Sequence, residues 1–182
     1  KIGIIARKFF YKRAIKKSKE IFTVSNFSKE RIEKVLKCKK KIAVVYNGLP
    51  NYMEKKCPNV QKNNSIIFIG NIKKHKGLSV LLEAFEKFYQ LENAEKPKLL
   101  IVGSKDNFRT KDNSISEKIS EMNSRFPNSI EFTGFVENEK LLLLLTQAKF
   151  LVQPSLYEGF GIPPLQALFC GTKAVISDIP VN

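Results

Sequence analysis

The sequence predicts an α/β fold with a doubly wound parallel sheet, and two observations support this prediction. From residue 65 onward, short apolar runs alternate with longer segments of helical patterning, which is the order of consecutive β–α units. The short runs, such as residues 66–70 and 98–103, are almost continuously apolar and do not alternate with polar residues. Continuous apolar runs are typical of parallel strands that helices cover on both faces.

The first 64 residues predict a smaller group of elements ahead of this sheet. In chain order they are a basic helix within 7–19, a strand at 21–24, a helix at 26–37, a strand at 42–46 and a polar linker at 51–64. Ser25 is suited to cap the second helix, because its hydroxyl can accept a hydrogen bond from a backbone N–H of the first turn. The linker contains Pro58 and paired asparagines, which favour irregular structure.

The remaining chain predicts five strands and four helices in strict alternation. The strands are expected at 66–70, 98–103, 129–133, 149–153 and 173–177, and the helices at 77–91, 114–125, 137–147 and 163–170. The run Leu141–Leu145 is apolar all round, which indicates a buried helix segment.

Composition limits the classes of protein to which the chain can belong. Its 182 residues suffice for one domain core, and its formal net charge of +15 suits phosphorylated ligands, anionic membranes or nucleic acid. The three cysteines have neither metal-binding nor CxxC spacing, so we expect a reducing compartment. No apolar run reaches the length of a membrane span. Because the chain starts at Lys1 without a signal-peptide pattern, we expect a piece of a longer protein.

The basic segment 7–19 leaves two interpretations open. It contains seven Lys or Arg residues interleaved with Phe9, Phe10, Tyr11 and Ile15. Such a helix can lie on an anionic membrane surface. Its apolar residues form an irregular stripe, which also fits a solvated helix that packs against another domain.

The segment Glu158–Pro164 is the strongest candidate for a ligand site. It places an acid and two glycines, Gly159 and Gly161, between a predicted strand and a predicted helix. Glycine allows backbone to approach a ligand closely, and N–H groups at a helix start favour anions. Ligands of open α/β sheets bind at the carboxyl ends of strands. The segment therefore fits a phosphorylated, hydroxyl-rich ligand such as a nucleotide sugar.

Four segments in order resemble glycosyltransferase family 4, the group 1 enzymes of GT-B fold. They are Phe22–Ser25, Lys41–Gly48, Ser65–Gly77 and Glu158–Gln166. The resemblance implies two Rossmann-like domains, of which residues 1–50 hold the tail of the acceptor-side domain and the hinge. Residues 65–182 would then form the donor-binding domain, truncated at its C-terminal end, with 51–64 as the linker.

The resemblance also assigns roles to residues of this chain. Glu158 is expected beside the hydroxyls of the donor sugar and Lys76 on its phosphates, and both are expected to be catalytic. A carboxylate accepts strong, charge-assisted hydrogen bonds from hydroxyls. Further donor contacts are expected from Asn71, Lys73, Phe160, Gly161, Ile162, Gln166, Asn47, Gly48, Gly103, Phe135 and Val136. Phe160, Gly161 and Ile162 would bind through backbone N–H groups.

Two positions depart from the family pattern. Gln166 stands where the family has a glutamate that binds the nucleotide ribose, and it keeps an acceptor oxygen without the charge. Alternatively, Gln166 is a helix residue that faces solvent. Asn71 stands where an arginine is usual, and Lys73 or Lys74 would supply the missing cation. His75 lies in the same loop, where a histidine between two lysines is more often solvated than catalytic.

These features predict a retaining glycosyltransferase that moves a sugar from a nucleoside diphosphate sugar to a hydroxyl acceptor. The family implies no required metal or other cofactor, and the sequence has no Asp-x-Asp. We expect a cytoplasmic protein with peripheral contact to the inner face of the membrane, and a glycan or lipid-linked acceptor. The rival interpretations are a non-catalytic nucleotide-sugar-binding remnant and a basic nucleic-acid-binding module. The second is disfavoured because the Lys and Arg residues are scattered, without aromatic stacking motifs.

Overall fold

The structure is a computed structural model that describes residues 2–54, 57–92, 95–103 and 114–181. The chain forms two compact units. The first contains residues 1–48, 158–161 and 180–182, and the second contains residues 49–157 and 162–179.

The first unit contains two helices and a pair of parallel strands. In chain order these are α1 (Ile2–Lys17), β1 (Ile21–Thr23), α2 (Asn26–Leu36) and β2 (Ile42–Val44). Strand β1 pairs with β2 from Ile21 opposite Ile42 to Thr23 opposite Val44. Ser25 caps α2 as expected, because its Oγ accepts a hydrogen bond from the Ser28 N–H at 3.1 Å.

The second unit contains a five-stranded, wholly parallel sheet in the order β5–β4–β3–β6–β7. Its strands are β3 (Ser65–Ile69), β4 (Lys98–Val102), β5 (Ile130–Gly134), β6 (Phe150–Gln153) and β7 (Lys173–Ile176). Its helices are α3 (Leu78–Gln90), α4 (Ser114–Arg125), α5 (Asn138–Gln147) and α6 (Ile162–Phe169), with short 3-10 turns at Asn51–Glu54 and Lys74–Lys76. The α/β fold class and the parallel sheet are therefore confirmed.

Two apolar cores cover the two faces of this sheet. Successive residues of a strand point to opposite faces, so Ile67 enters the core beneath α5 and α6 while Phe68 enters the core beneath α3 and α4. The side chains of β4 alternate between the cores in the same way, with Leu100 in the first core and Leu99 in the second. Burial on both faces explains why the sequence of these strands is continuously apolar.

The predicted elements differ from the observed ones mainly at their ends. Helix α1 covers Ile2–Lys17 and not 7–19, and β2 stops at Val44 although the prediction extended to residue 46. The segment 51–64 is not uniformly irregular. It starts with the 3-10 turn Asn51–Glu54, whose Met53 is 1 % exposed in the core beneath α5.

Candidate functional site

The candidate site of the second unit lies where its chain reverses the direction of strand addition. Strands β3, β4 and β5 follow one another outward, and the chain then returns to place β6 on the other side of β3. The loops after β3 and β6 therefore leave neighbouring strands in opposite directions. A crevice at such a switch point is where open α/β sheets bind ligands.

Three glycines form a row at the carboxyl ends of three adjacent strands. Gly70, Gly103 and Gly134 follow or end β3, β4 and β5, and all have positive φ. The Gly103 N–H donates to Gly134 O at 3.0 Å, and the Gly70 N–H donates to Val102 O at 2.9 Å. A Cβ on Gly103 would lie 2.3 Å from Gly70 O, so no larger residue fits there. The row leaves this edge of the sheet without side chains at these positions, which allows a ligand to approach the backbone.

The loop after β3 carries Lys76 and is fixed by the segment after β6. The Leu156 N–H donates to His75 O at 2.8 Å. Gly77 has a φ of 69°, and a Cβ there would lie 1.9 Å from Pro154 O. These two contacts hold the backbone of the loop on both sides of Lys76.

The side chain of Lys76 extends over Gly70, the first glycine of the row. A Cβ built on Gly70 would lie 3.8 Å from Lys76 Cε and 3.9 Å from Gln153 Nε2. Lys76 is half-buried, whereas Asn71 and Lys73 are exposed. The structure thus brings Lys76 and Gly103 to the same edge of the sheet. The His75 side chain is exposed, in agreement with the interpretation of a solvated histidine.

Gln166 does not face solvent, so that alternative is wrong. It lies in α6 with 5 % exposure, and its Nε2 donates a hydrogen bond to Tyr52 Oη at 2.5 Å. Burial raises the pKa of the Tyr52 hydroxyl, and the hydrogen bond from Gln166 opposes that shift. Tyr52 belongs to the 3-10 turn that precedes the sheet. The sequence did not predict a contact between this turn and α6.

Two cysteines that are distant in sequence lie beside this pair. Cys57 Sγ is 2.9 Å from Cys170 Sγ, and both are free thiols. Burial, and then the contact with Cys57, raise the pKa of Cys170 to about 12. Lys62 lies near both thiols and donates to Thr172 Oγ1 at 2.5 Å, and burial lowers the pKa of its ammonium group. The sequence contained no signal for this contact.

In the first unit, the segment Glu158–Gly161 rests against the start of α2. The Gly159 carbonyl accepts a hydrogen bond from Ser25 Oγ at 2.7 Å, and Ser28 Oγ lies 3.4 Å away. The helix cap Ser25 therefore also holds the glycine-rich segment, which the sequence did not predict. Glu158 itself is half-buried.

Phe160 packs beside Tyr46 in the same unit, with ring centroids 6.2 Å apart. The Tyr46 hydroxyl accepts a hydrogen bond from Asn26 Nδ2 at 3.0 Å. Asn47 is half-buried and Gly48 exposed. Strand β2 ends at Val44, before this pair, and Gly48 is not among the glycines with positive φ.

The other predicted contacts lie at loop ends. Phe135 is 78 % exposed just after β5, and Val136 packs against the core beneath α5. Gly161 has a φ of 87°, and Ile162 is the first residue of α6.

Within the described residues there is no cluster of three or more His, Cys, Asp and Glu side chains that could hold a metal. Of the helices in these ranges, none is long and apolar enough to cross a membrane.

Comparison with known proteins identifies the family. The sequence pattern of the glycosyl transferases group 1 matches residues 52–182. The O-antigen chain mannosyltransferase RfbU of Salmonella typhimurium is 28 % identical over 177 residues, which are 96 % of this chain and 46 % of that protein. The chain thus spans less than half the length of this relative.

Solved structures show the same fold. Sucrose-phosphate synthase from Thermosynechococcus elongatus matches with a TM-score of 0.74 and 20 % identity, over 96 % of this chain and 44 % of that one. The Anabaena protein HepE, solved in complex with UDP and glucose, matches with a TM-score of 0.68 and 17 % identity, over 88 % of this chain and 45 % of that one. These structures are glycosyltransferases of GT-B fold.

Proposed function

Because the chain belongs to the group 1 glycosyltransferases, we propose that it binds the nucleoside diphosphate of a sugar donor. The whole protein would transfer the sugar to a hydroxyl acceptor. The observation that supports this best is the position of Lys76, whose side chain lies over Gly70 at the switch point between β3 and β6. A lysine above an open row of glycines suits a diphosphate, since the ammonium supplies charge and the glycines leave room.

In the proposed reaction the bond between the sugar carbon and the diphosphate oxygen breaks, and the acceptor oxygen bonds to the same carbon. The acceptor's proton passes to an oxygen of the leaving diphosphate, on which negative charge develops as its bond to the sugar breaks. Lys76 would stabilise that charge, as would backbone N–H groups of Phe160, Gly161 and Ile162. Glu158 would accept hydrogen bonds from hydroxyls of the sugar. We propose retention of configuration, as the resemblance to the family implies. We also propose that no resident metal is needed, because Lys76 and the amides would supply the stabilising groups.

The remaining donor contacts are proposed by position. Gln166 would contact the ribose with its amide oxygen while its nitrogen stays on Tyr52. The other predicted donor residues are Asn47, Gly48, Asn71, Lys73, Gly103, Phe135 and Val136. The relative RfbU acts on O-antigen chains, so we propose an envelope polysaccharide or its lipid-linked precursor as the acceptor of the whole protein.

We also propose that the first unit contacts an anionic membrane. Fifteen of its first 48 residues are Lys or Arg and only three are Glu. Phe9 and Phe10 on α1 are 62 % and 67 % exposed, so their aromatic rings lie at the surface beside the basic side chains of the helix. Charge of this density favours anionic lipid headgroups. This contact would place the protein on the cytoplasmic face of the membrane, near lipid-linked acceptors.

Calorimetric titration of the 182-residue chain with UDP, GDP, ADP and their nucleosides tests the proposal. We expect one diphosphate to bind and its nucleoside to bind much more weakly. Absence of binding by all three diphosphates at millimolar concentration would contradict the proposed donor site. The non-catalytic alternative, motivated by Gln166 and Asn71, predicts diphosphate binding together with no sugar transfer by the full-length protein.

A further inference from the structure

Gln153 is a buried amide with an unmet hydrogen-bonding group. It is the last residue of β6 and is 2 % exposed. Its Nε2 donates to Ser155 Oγ at 3.3 Å, while its Oε1 has no hydrogen-bond partner among the described residues. Rotating the side-chain amide by 180° would exchange the oxygen and the nitrogen, and the nitrogen would then be the atom without a hydrogen-bond partner. One end of this side chain is therefore unsatisfied in either orientation.

A buried polar atom without a partner destabilises a fold, and native proteins contain few of them. An apolar side chain of similar length would fill the same space without this cost. Where such a group is present beside a candidate site, the binding of a ligand is a physical reason for it. The neighbours of Gln153 indicate which group could satisfy it.

Gln153 lies beside Lys76. Its Nε2 and Lys76 Cε are 3.9 and 3.8 Å from the same point, the Cβ position of Gly70. Gln153 also begins the segment that supports the Lys76 loop, since Pro154 O lies against Gly77 and the Leu156 N–H donates to His75 O. The amide is thus at the base of the loop that we propose to bind a diphosphate.

We propose that Gln153 is a positioning residue for Lys76: when a diphosphate is bound, the amide oxygen accepts a hydrogen bond from the Lys76 ammonium group. This inference rests on the proposed function of Lys76. An ammonium has three donors, so it can hold a phosphate oxygen and the amide oxygen together. The amide is neutral and leaves the positive charge available to the phosphate. The acceptor that is unpaired without ligand becomes paired on binding, which adds to the affinity.

The test is a calorimetric titration of the 182-residue chain with the diphosphate that the wild type binds best, and with its nucleoside. Gln153→Leu removes the acceptor but keeps the side chain buried. We expect a roughly tenfold loss of diphosphate affinity with nucleoside affinity unchanged, since the lost hydrogen bond involves a charged group. The melting temperature of this variant should equal or exceed that of the wild type. Gln153→Glu has the same shape, and its charge would neutralise Lys76, so diphosphate binding should weaken at least as much.

A double variant separates positioning from a merely structural role. In the Lys76→Ala background, Gln153→Leu should cause no further loss of diphosphate affinity, because its effect passes through the ammonium. If Gln153→Leu lowers affinity equally in both backgrounds, or leaves it unchanged, the inference is wrong. Gln153→Met serves the same purpose if the leucine variant does not fold. Failure of the wild type to bind any diphosphate, or no effect of Lys76→Ala, would refute the proposed function and this inference together.

Discussion

The side-chain amide of Gln166 and the hydroxyl of Tyr52 form a 2.5 Å hydrogen bond between α6 and the 3-10 turn that precedes the sheet. The two residues are 114 positions apart. Gln166 occupies the position where the family pattern has glutamate, so this contact bears on the ribose contact that we propose for Gln166.

Gln166→Glu should increase the preference for a ribose nucleotide over its deoxyribose analogue. The introduced carboxylate can accept hydrogen bonds from both ribose hydroxyls, and charged acceptors form the stronger bonds. The melting temperature should fall, because the position is 5 % exposed and a buried charge is costly. Calorimetry with matched ribose and deoxyribose diphosphates measures the preference.

Tyr52→Phe is the matched control, since it removes the hydroxyl partner without adding charge. It should lower stability and leave the ratio of the two affinities unchanged. If Gln166→Glu alters the affinities for both nucleotides by the same factor, Gln166 does not contact the ribose.

Lys76→Ala should weaken diphosphate binding roughly tenfold to a hundredfold, the range expected for a charge-assisted hydrogen bond of ~1.5–3 kcal/mol. Binding of the bare nucleoside should hardly change. Lys87→Ala is a suitable control, because Lys87 is exposed on α3 and is not one of the predicted donor contacts. Equal losses for diphosphate and nucleoside would show that Lys76 acts through folding of the loop.

Mild oxidation with glutathione disulfide should join Cys57 to Cys170. Each thiol loses one hydrogen as glutathione disulfide is reduced to two glutathiones, so mass spectrometry should show a loss of two hydrogens per chain. The thiolate is the reactive form, and the pKa of Cys170 is about 12, so its thiolate becomes more abundant as the pH rises. The cross-link should therefore form faster near about pH 9 than near about pH 7.

Replacement of the third cysteine provides the comparison for this experiment. Cys38→Ser should leave the cross-link intact, and Cys57→Ser should abolish it. A stable glutathione adduct on Cys57, with Cys170 still a free thiol, would mean that the two sulfurs do not come close enough in solution.

Vesicles that contain anionic lipid should bind the chain through α1, and added salt should release it. Lys8→Glu with Lys12→Glu should weaken this binding, because each basic residue near the surface contributes about 1 kcal/mol. Lys34→Glu with Lys39→Glu changes the net charge equally outside α1 and should have a smaller effect. Co-sedimentation with and without anionic lipid measures both pairs. If vesicle binding does not depend on the anionic lipid content or on the salt concentration, the interpretation of α1 as a helix that packs on another domain is favoured.

The sequence predicted the α/β fold because its local patterns and its buried contacts agree. Strands such as β3 and β4 are apolar on both faces and end at glycine, so their presence and approximate limits followed from the pattern. Helix α4 was predicted without error at Ser114–Arg125. The remaining boundaries moved by one or a few residues, because hydrogen bonds to neighbouring strands decide where a strand ends.

The contacts of the candidate site were less predictable, because they join residues distant in sequence. Cys57 and Cys170 are 113 positions apart, and Ser25 lies 134 positions from Gly159. Met53 lies in a segment of mainly polar residues, so its burial carried no periodic signal. The unsatisfied oxygen of Gln153 depends on packing around a single atom, and no pattern of residue types could indicate it.

The close approach of Gly77 to Pro154 limits how this protein can be engineered. A loop grafted from a relative between β3 and α3 to alter ligand preference would meet the Pro154 carbonyl wherever the new residue at position 77 bears a Cβ. The His75 carbonyl must also still reach the Leu156 N–H. Loop exchange should therefore succeed when residues 71–77 and 154–156 are moved together, and single-loop chimaeras that replace Gly77 should express poorly.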